Sequence, residues 1–444
     1  MPLTLNTEHS FVAKSGAQGL QPDEAMQIAP RVRAALKWIA ESQQKGELPF
    51  LDLPQDDGLV ATCRDMAARF KGIENFLLAG IGGSALGPRA IFDALSHPLH
   101  NVVTPLVRND APRFFVLDNV DPDVTEAMLH VCEAGDTVFN VISKSGSTAE
   151  TAAALLLIIQ HLKNGVGEAW REHLVCTTDP VAGDLRKLCI EEKIQTLPLH
   201  PGVGGRFSVL TPVGIFPALC LGLDVDEMMQ GAAEMSCKCL SDDLAENPAA
   251  QIASLLYLFD TAHHKPIHVM MAYANGLYSL ADWFRQIWAE SLGKAHARDG
   301  RTVHVGPTPV KALGTTDQHS QVQLYIEGPY DKVFIFLEAQ KFRHTLAMPH
   351  EYGNISSLGY LSGKTMNQLM AAEFQATREA LAQNERPSLT LSFSEVGARE
   401  VGEFFMLWEV VTALYGYLSN VNPFDQPGVE LGKQLTYQLM GRKG

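Results

Sequence analysis

The feature that most constrains this chain is a rhythm of short apolar runs. Each ends in a glycine, serine or aspartate loop, and a helical pattern follows. Asn75 to Ile81 ends in glycines, and Ser84 to Ser96 has helical spacing. Phe114 to Leu117 runs into Asp118 and Asn119. Thr137 to Ile142 leads through a Ser/Gly loop to an apolar helical pattern over Thr148 to Leu162, and Leu174 to Thr177 is the next short run. The rhythm returns at Ile267 to Ala272, with a helix expected over Tyr278 to Leu292. Strands are expected at Val322 to Glu327, Val333 to Leu337 and Leu389 to Phe393, and helices over roughly Leu358 to Leu381 and Val396 to Leu418. Short apolar strands alternating with helices imply parallel sheets covered on both faces. With 444 residues the chain exceeds one ordinary core. The expected division is a helical segment over 1–60, an α/β domain over 61–223, a polar helical connector over 224–248, and a second α/β domain with C-terminal helices over 249–444.

Composition narrows the partners. A formal net charge of −15 repels a phosphate backbone, which argues against nucleic acid. No stretch reaches the roughly eighteen apolar residues of a membrane span. The greasiest runs are Ala152 to Ile159, which is short, and Val213 to Leu223, which contains Pro217 and two glycines. Met1 to Ser10 lacks the basic and apolar regions of a signal peptide, so a cytoplasmic protein is expected. Cys63, Cys132, Cys176, Cys189, Cys220, Cys237 and Cys239 form no Cys-x-x-Cys and read as buried thiols in a reducing compartment. His263 and His264 are adjacent, and adjacent side chains do not share a helix face. No His/Cys/carboxylate cluster has zinc-ligand spacing, so no metal is expected. An acidic chain can still hold a small anion, given helix N-termini and a few placed cations.

Two loops offer such a trap. Gly80-Ile81-Gly82-Gly83-Ser84-Ala85-Leu86-Gly87-Pro88 joins a strand to a helix, where glycines admit close approach and helix N–H groups face the anion. The same run matches Gly-x-Gly-x-x-Ala of dinucleotide sites, but the acidic partner about twenty residues on is not evident. A plain tight turn is the simpler alternative. Ser143-Lys144-Ser145-Gly146-Ser147-Thr148 crowds hydroxyls and a lysine at another helix start. Capping alone needs one hydroxyl.

Acid–base candidates are sparser. Glu290 ends an apolar helix containing Trp283, Phe284, Ile287 and Trp288, just before Gly293. Apolar surroundings disfavour its charged form, which suits a base. An exposed glutamate paired with Lys294 fits the spacing too. His319 lies in a polar loop, either catalytic or merely exposed. Arg206 follows three glycines, whose backbone would let guanidinium reach an anionic centre; a solvated loop arginine is the alternative. Lys433 is a late lysine of a kind that is usually surface charge.

Together, Gly80–Pro88, Ser143–Glu150, Gly202–Ser208, Gln286–Lys294, Gln318–Ser320 and Asn422–Lys433 resemble the glucose-6-phosphate isomerase family, in the family's order, from about Ala79 to Met440. The resemblance implies two sugar-isomerase (SIS-type) domains, no metal or organic cofactor, and a homodimer with sites at the subunit boundary. It implies that His319, with Lys433, moves protons in ring opening, that Glu290 carries the proton between C2 and C1, and that Arg206 stabilises the enediolate. Gln286 and Gln426 would position the sugar, and Gly83, Ser84, Ser143, Lys144, Ser145 and Thr148 would hold its phosphate. The chain departs from many relatives at Ser145 and Gly146, where they carry threonine and a bulkier residue, and at Pro427, where an aromatic is common. A phosphosugar sensor would keep the loops without needing Glu290, Arg206 and Lys433. A dual phosphoglucose/phosphomannose isomerase would tend to differ around Gln286.

Overall fold

The computed structural model describes residues 3–442. Met1 and Pro2, from the segment read for a leader, and Lys443 and Gly444, from the end of the second expected domain, lie outside them. Strand β1 (Thr4–Asn6) comes first. Next, β2 (Asn75–Ala79), β3 (Arg113–Leu117), β4 (Thr137–Ile142), β5 (Leu174–Thr178) and β6 (Gln195–Pro198) form one sheet in the order β3-β2-β4-β5-β6. Every neighbouring pair in it is parallel. Then follow β7 (Ile267–Tyr273), β8 (Lys294–His296), β9 (Thr302–Val305), β10 (Thr308–Leu313), β11 (Lys332–Ala339) and β12 (Ser388–Phe393). The second sheet has the order β1-β12-β11-β7-β10, parallel except where β1 lies antiparallel on β12. β8 and β9 make a small antiparallel ribbon. The parallel α/β class expected from the strand–helix rhythm is what the chain forms.

The compact units cut the chain differently from the linear division read in the sequence. One takes the residues up to Lys37 and Glu234–Val421; the other takes Trp38–Ala233 and the residues from Asn422 onward. Hydrogen bonds and ring contacts explain both returns. In the β7–β12 unit, Thr4 to Asn6 register against Ser392 to Thr390, Leu3 N donates to Glu403 at 2.6 Å, and Ser10 Oγ donates to the Ser388 carbonyl at 3.0 Å. The N-terminal segment read as helices and loops thus begins with a strand. In the β2–β6 unit, the ring of Phe424 packs 5.2 Å from Phe207 and 6.2 Å from Phe50.

Each sheet is buried as its sequence dictates. The core of the β2–β6 unit joins Leu77, Ala79, Phe139 and Val141 to Leu155, Ile158 and Leu162 of the helix Ala149–Val166. In the β7–β12 unit, Val269, Met271 and Tyr273 alternate with the sheet's period of two and pack with Phe334, Phe336 and Phe374. Each large apolar side chain so buried contributes about 1.5–3 kcal/mol. Of the cysteines, Cys237 is exposed and Cys220 half-buried; the other five are buried.

Two expectations fail for local reasons. Val322–Glu327 is a short helix, not a strand. Its apolar alternation is matched by a helical turn that buries Tyr325, whose hydroxyl bonds Gln321 Oε1 four residues back at 2.6 Å. The missing strand is β10, disguised by Pro309 and Lys311. It lies at the sheet's edge, where a proline is tolerated. The long helix expected from Leu358 starts at Met366, after Gly363 at φ +74° and a capping box between Thr365 and Gln368.

Both sheets place their first parallel strand between the second and the third. The direction of winding reverses there, and such a switch point leaves a crevice outside the strands' C-terminal ends. In the β2–β6 unit the switch lies between β2 and β4, so Gly80–Gly83 and Ser143–Thr148 flank it. In the β7–β12 unit it lies between β7 and β11.

Candidate active site

The β2–β6 unit carries the anion-binding candidates. Gly83 opens the helix Gly83–Leu95, with Gly82 before it at φ +58°. A Cβ on Gly83 would stand 2.1 Å from the Gly205 carbonyl oxygen and 2.7 Å from Arg206 N. Only glycine admits that approach, which sets the half-buried Ser84 and the turn of Arg206 against each other. Arg206 is itself buried. Its Nη1 donates to Gln426 Oε1 at 2.9 Å, and its Nη2 donates to the carbonyls of Pro423 and Asp425 at 2.6 and 3.0 Å. Three segments far apart in sequence therefore meet at Arg206, one at its backbone and one at its guanidinium.

The Ser143–Thr148 loop is organised by its own hydroxyls. Gly146 N donates to Ser143 Oγ at 3.0 Å, Ser147 N donates to Ser145 Oγ at 3.2 Å, and the Ser145 and Ser147 hydroxyls share a 2.7 Å bond. Thr148 is the N-cap of Ala149–Val166 but makes no side-chain cap bond. The departure at 146 has a steric reason: Gly146 lies at φ +73°, and a Cβ there would stand 2.3 Å from Leu185 N. Lys144 Nζ donates to the carbonyls of Pro201 and Val203, tying the loop to the segment that leads to Arg206. A small crevice lies near this loop, lined by Gly80, Ile81, Asp118, Asn119, Glu150 and Thr151 among others. Arg89 pairs with Asp118 at 3.1 Å.

The exposed helix Glu430–Leu439 bears Lys433, whose Nζ bonds Glu430 Oε1 at 2.7 Å. Tyr437 of the same helix donates its hydroxyl to the Ser147 carbonyl at 2.6 Å.

The β7–β12 unit carries the acid–base candidates. Tyr278–Leu292 is a helix, as expected, and buries Trp283, Phe284, Ile287 and Trp288. Its position is fixed from inside: Trp288 Nε1 donates to Nδ1 of the fully buried His268 at 3.0 Å, and burial holds that imidazole down to about 3. Glu290 is half-buried at the helix end, where Gln286 Nε2 lies 3.4 Å from its Oε2. Gln286 Oε1 is buried without a hydrogen-bond partner. Lys294 Nζ donates to the Glu290 backbone carbonyl at 3.1 Å. His319 ends a tight turn after β10 and is exposed. Its neighbours are anchored. Asp317 accepts from Leu313 N at 2.7 Å and Ser320 Oγ at 2.6 Å, while Gln318 Nε2 donates to Tyr273 Oη at 2.8 Å and the Glu373 carbonyl at 3.2 Å.

The structure thus brings Gly83, Ser84 and Arg206 together with Gln426, joins Gln286 to Glu290, and holds His319 on its own turn. Asp317, Tyr437 and Thr151 of the crevice were not singled out in the sequence. Asp317 and Ser320 flank His319 as a polar cluster, which is a readable signal; Tyr437 has none. Among the described residues no group of three His, Cys, Asp or Glu is placed to hold a metal ion.

Known proteins resemble this chain along most of its length. The family described as Phosphoglucose isomerase matches residues 60–443. A glucose-6-phosphate isomerase of Carboxydothermus hydrogenoformans is 45% identical, covering 93% of this chain and 89% of that protein. One from Rubrobacter xylanophilus is 42% identical over 96% of both. Among solved structures, a hypothetical protein of Thermus thermophilus superposes with a TM-score of 0.89 at 37% identity, covering 99% of this chain and all of that one. A glucose-6-phosphate isomerase of Chlamydia trachomatis gives 0.73 at 25% identity, covering 92% and 78%. The match spans nearly the whole chain in both sequence and fold, and the chain belongs to the phosphoglucose isomerase family.

Proposed function

We propose that this chain interconverts glucose 6-phosphate and fructose 6-phosphate through a cis-enediol intermediate, a step of glycolysis and gluconeogenesis. The observation that carries the proposal is the meeting at Arg206. A buried guanidinium held by Gln426 and by the carbonyls before it is pre-organised. Such a fixed charge costs no reorganisation when negative charge develops on the enediolate oxygens.

The other roles follow the chemistry. The phosphate rests among Ser84, Ser143, Lys144, Ser145 and Thr148, where helix N-termini favour a dianion. Its binding orients carbons that it does not touch. Lys433 and a histidine move protons during ring opening. Glu290, with Gln286 beside it, removes the proton at C2 and returns it at C1. The retained Gln286 favours strict glucose/fructose use. His319, exposed on an anchored turn, would serve the partner subunit's site in a homodimer. The protein is assigned to the cytoplasm; no helix among the described residues is long and apolar enough to cross a membrane.

The test is formation of glucose 6-phosphate from fructose 6-phosphate by purified protein, with a chelator present and no added cofactor. Turnover that disappears in Glu290→Gln is the expected result. Tight phosphosugar binding without turnover would replace the isomerase with a sensor.

A further inference from the structure

The helix Glu430–Leu439 stands almost wholly in solvent, with Leu431, Leu435 and Leu439 exposed. Its half-buried member is Tyr437. Lys433 and Tyr437 are four residues apart, so they share one face of the helix. The Tyr437 hydroxyl donates to the Ser147 carbonyl at 2.6 Å, and the guanidinium of Arg442 lies 4.6 Å from its ring centroid. Ser147 in turn is bonded to Ser145 through both its N–H and its hydroxyl. A hydrogen bond to a peptide oxygen polarises the whole peptide group, so the adjoining N–H becomes a better donor. Here that N–H belongs to Thr148, at the start of the helix Ala149–Val166, where an anion is favoured.

We propose that Tyr437 is a positioning residue: through the Ser147 carbonyl it couples phosphate occupancy of the Ser143–Thr148 loop to the placement of Lys433. The inference rests on the isomerase reading above for the role of Lys433, but the coupling itself does not need catalysis. A dianion drawing on the Thr148 N–H strengthens the bond at the other end of the same peptide, which holds the Lys433 helix against the loop. An empty loop lets that helix fray.

Tyr437→Phe removes the hydroxyl and keeps the ring. Hydrogen–deuterium exchange across residues 430–439, with and without inorganic phosphate, reads the coupling directly. Phosphate should slow exchange about two- to ten-fold in the wild type, the worth of one hydrogen bond, and leave Tyr437→Phe unchanged. Equal slowing in both proteins overturns the proposal. The catalytic arm is a double-mutant cycle: Tyr437→Phe should lower kcat/KM about two- to ten-fold alone and have no effect in a Lys433→Met background. Additive losses overturn it. Wild-type turnover in Lys433→Met would remove the role of Lys433 from the function proposed above, and the exchange measurement would still decide the coupling.

Discussion

The two α/β units share one winding order and use it in opposite ways. In the β2–β6 unit the chemistry stands at helix beginnings: Gly83 and Ser84 after β2, and Ser143–Thr148 after β4. The groups offered are backbone N–H and short hydroxyls. In the β7–β12 unit the helix after the first parallel strand carries its functional candidate at the other end, where Glu290 precedes Gly293. Both interiors hold ionisable groups neutral by burial. The first buries thiols such as Cys63 and Cys132, which burial pushes up to about 12 and so keeps uncharged. The second buries titrating side chains: His268, and Glu409, whose carboxyl burial alone drives well above the ordinary range. In the function proposed above, the first unit holds the anion and carries Lys433, and the second carries Glu290 and His319.

The largest effect that would break this comparison lies at Glu290. Glu290→Gln keeps the size and the bond to Gln286 but removes the base. Turnover should fall on the order of a thousand-fold while phosphosugar affinity, measured calorimetrically, stays close to wild type. Comparable losses in turnover and affinity would mean that the β7–β12 unit binds as much as it reacts.

The same contrast governs how much was legible. β4 and the helix Tyr278–Leu292 coincide with their sequence readings residue for residue, because uninterrupted apolar periodicity is local. β10 was hidden, since its Pro309 and Lys311 are acceptable only at an edge that local sequence cannot reveal. β1 was hidden because three residues become a strand only through their partner β12. The two loops proposed for the anion stand out in the sequence because their glycines and serines are unusual in density. Glu290 and Lys433 are ordinary residue types in ordinary helices; an apolar helix end points to the first, with an exposed ion pair as alternative, and likeness to a family alone singles out the second. The bond from Tyr437 to Ser147 spans 290 positions and leaves no local trace.

His268 gives the next effect. The buried imidazole accepts from Trp288 and stays neutral in the fold, whereas the unfolded chain takes a proton below its ordinary value of 6.5. Stability from this site is therefore intact above pH 6.5 and is lost progressively as pH falls toward about 3. Between pH 7.5 and 4.5 the unfolding free energy of the wild type, relative to a His268→Gln variant, should drop by about 3 kcal/mol. The difference cancels the buried carboxyls, which are relieved rather than burdened by acid. A pH-independent difference would show that the Glu290 helix is not seated on a neutral histidine.

A smaller effect tests the glycine approach. Gly83→Ala must displace the Gly205–Arg206 turn, since its Cβ would meet Gly205 O at 2.1 Å. A loss of about 1–3 kcal/mol in urea unfolding is expected, with a fall in turnover as Arg206 shifts. Gly204→Ala is the control, because nothing lies within 4 Å of a Cβ there, and it should be neutral. Equal behaviour of the two would remove the close approach from the site's construction.

The smallest effect decides what Lys144 does. An ammonium has three donors, and two of them are directed to the Pro201 and Val203 carbonyls. Two outcomes follow from Lys144→Ala. If the charge serves the phosphate, KM and the dissociation constant for inorganic phosphate rise together by about tenfold, the weight of one charge-assisted bond, and kcat holds. If the lysine instead mainly braces the 201–203 backbone that leads to Arg206, kcat falls and phosphate affinity holds, because the enediolate contact loosens while the hydroxyl loop remains. The first outcome is expected. A dianion offers a stronger acceptor than two peptide carbonyls, and the half-buried Lys144 lies beside the loop's hydroxyls, within reach of both. The second would move Lys144 from the binding side of the comparison to the side that shapes the transition state.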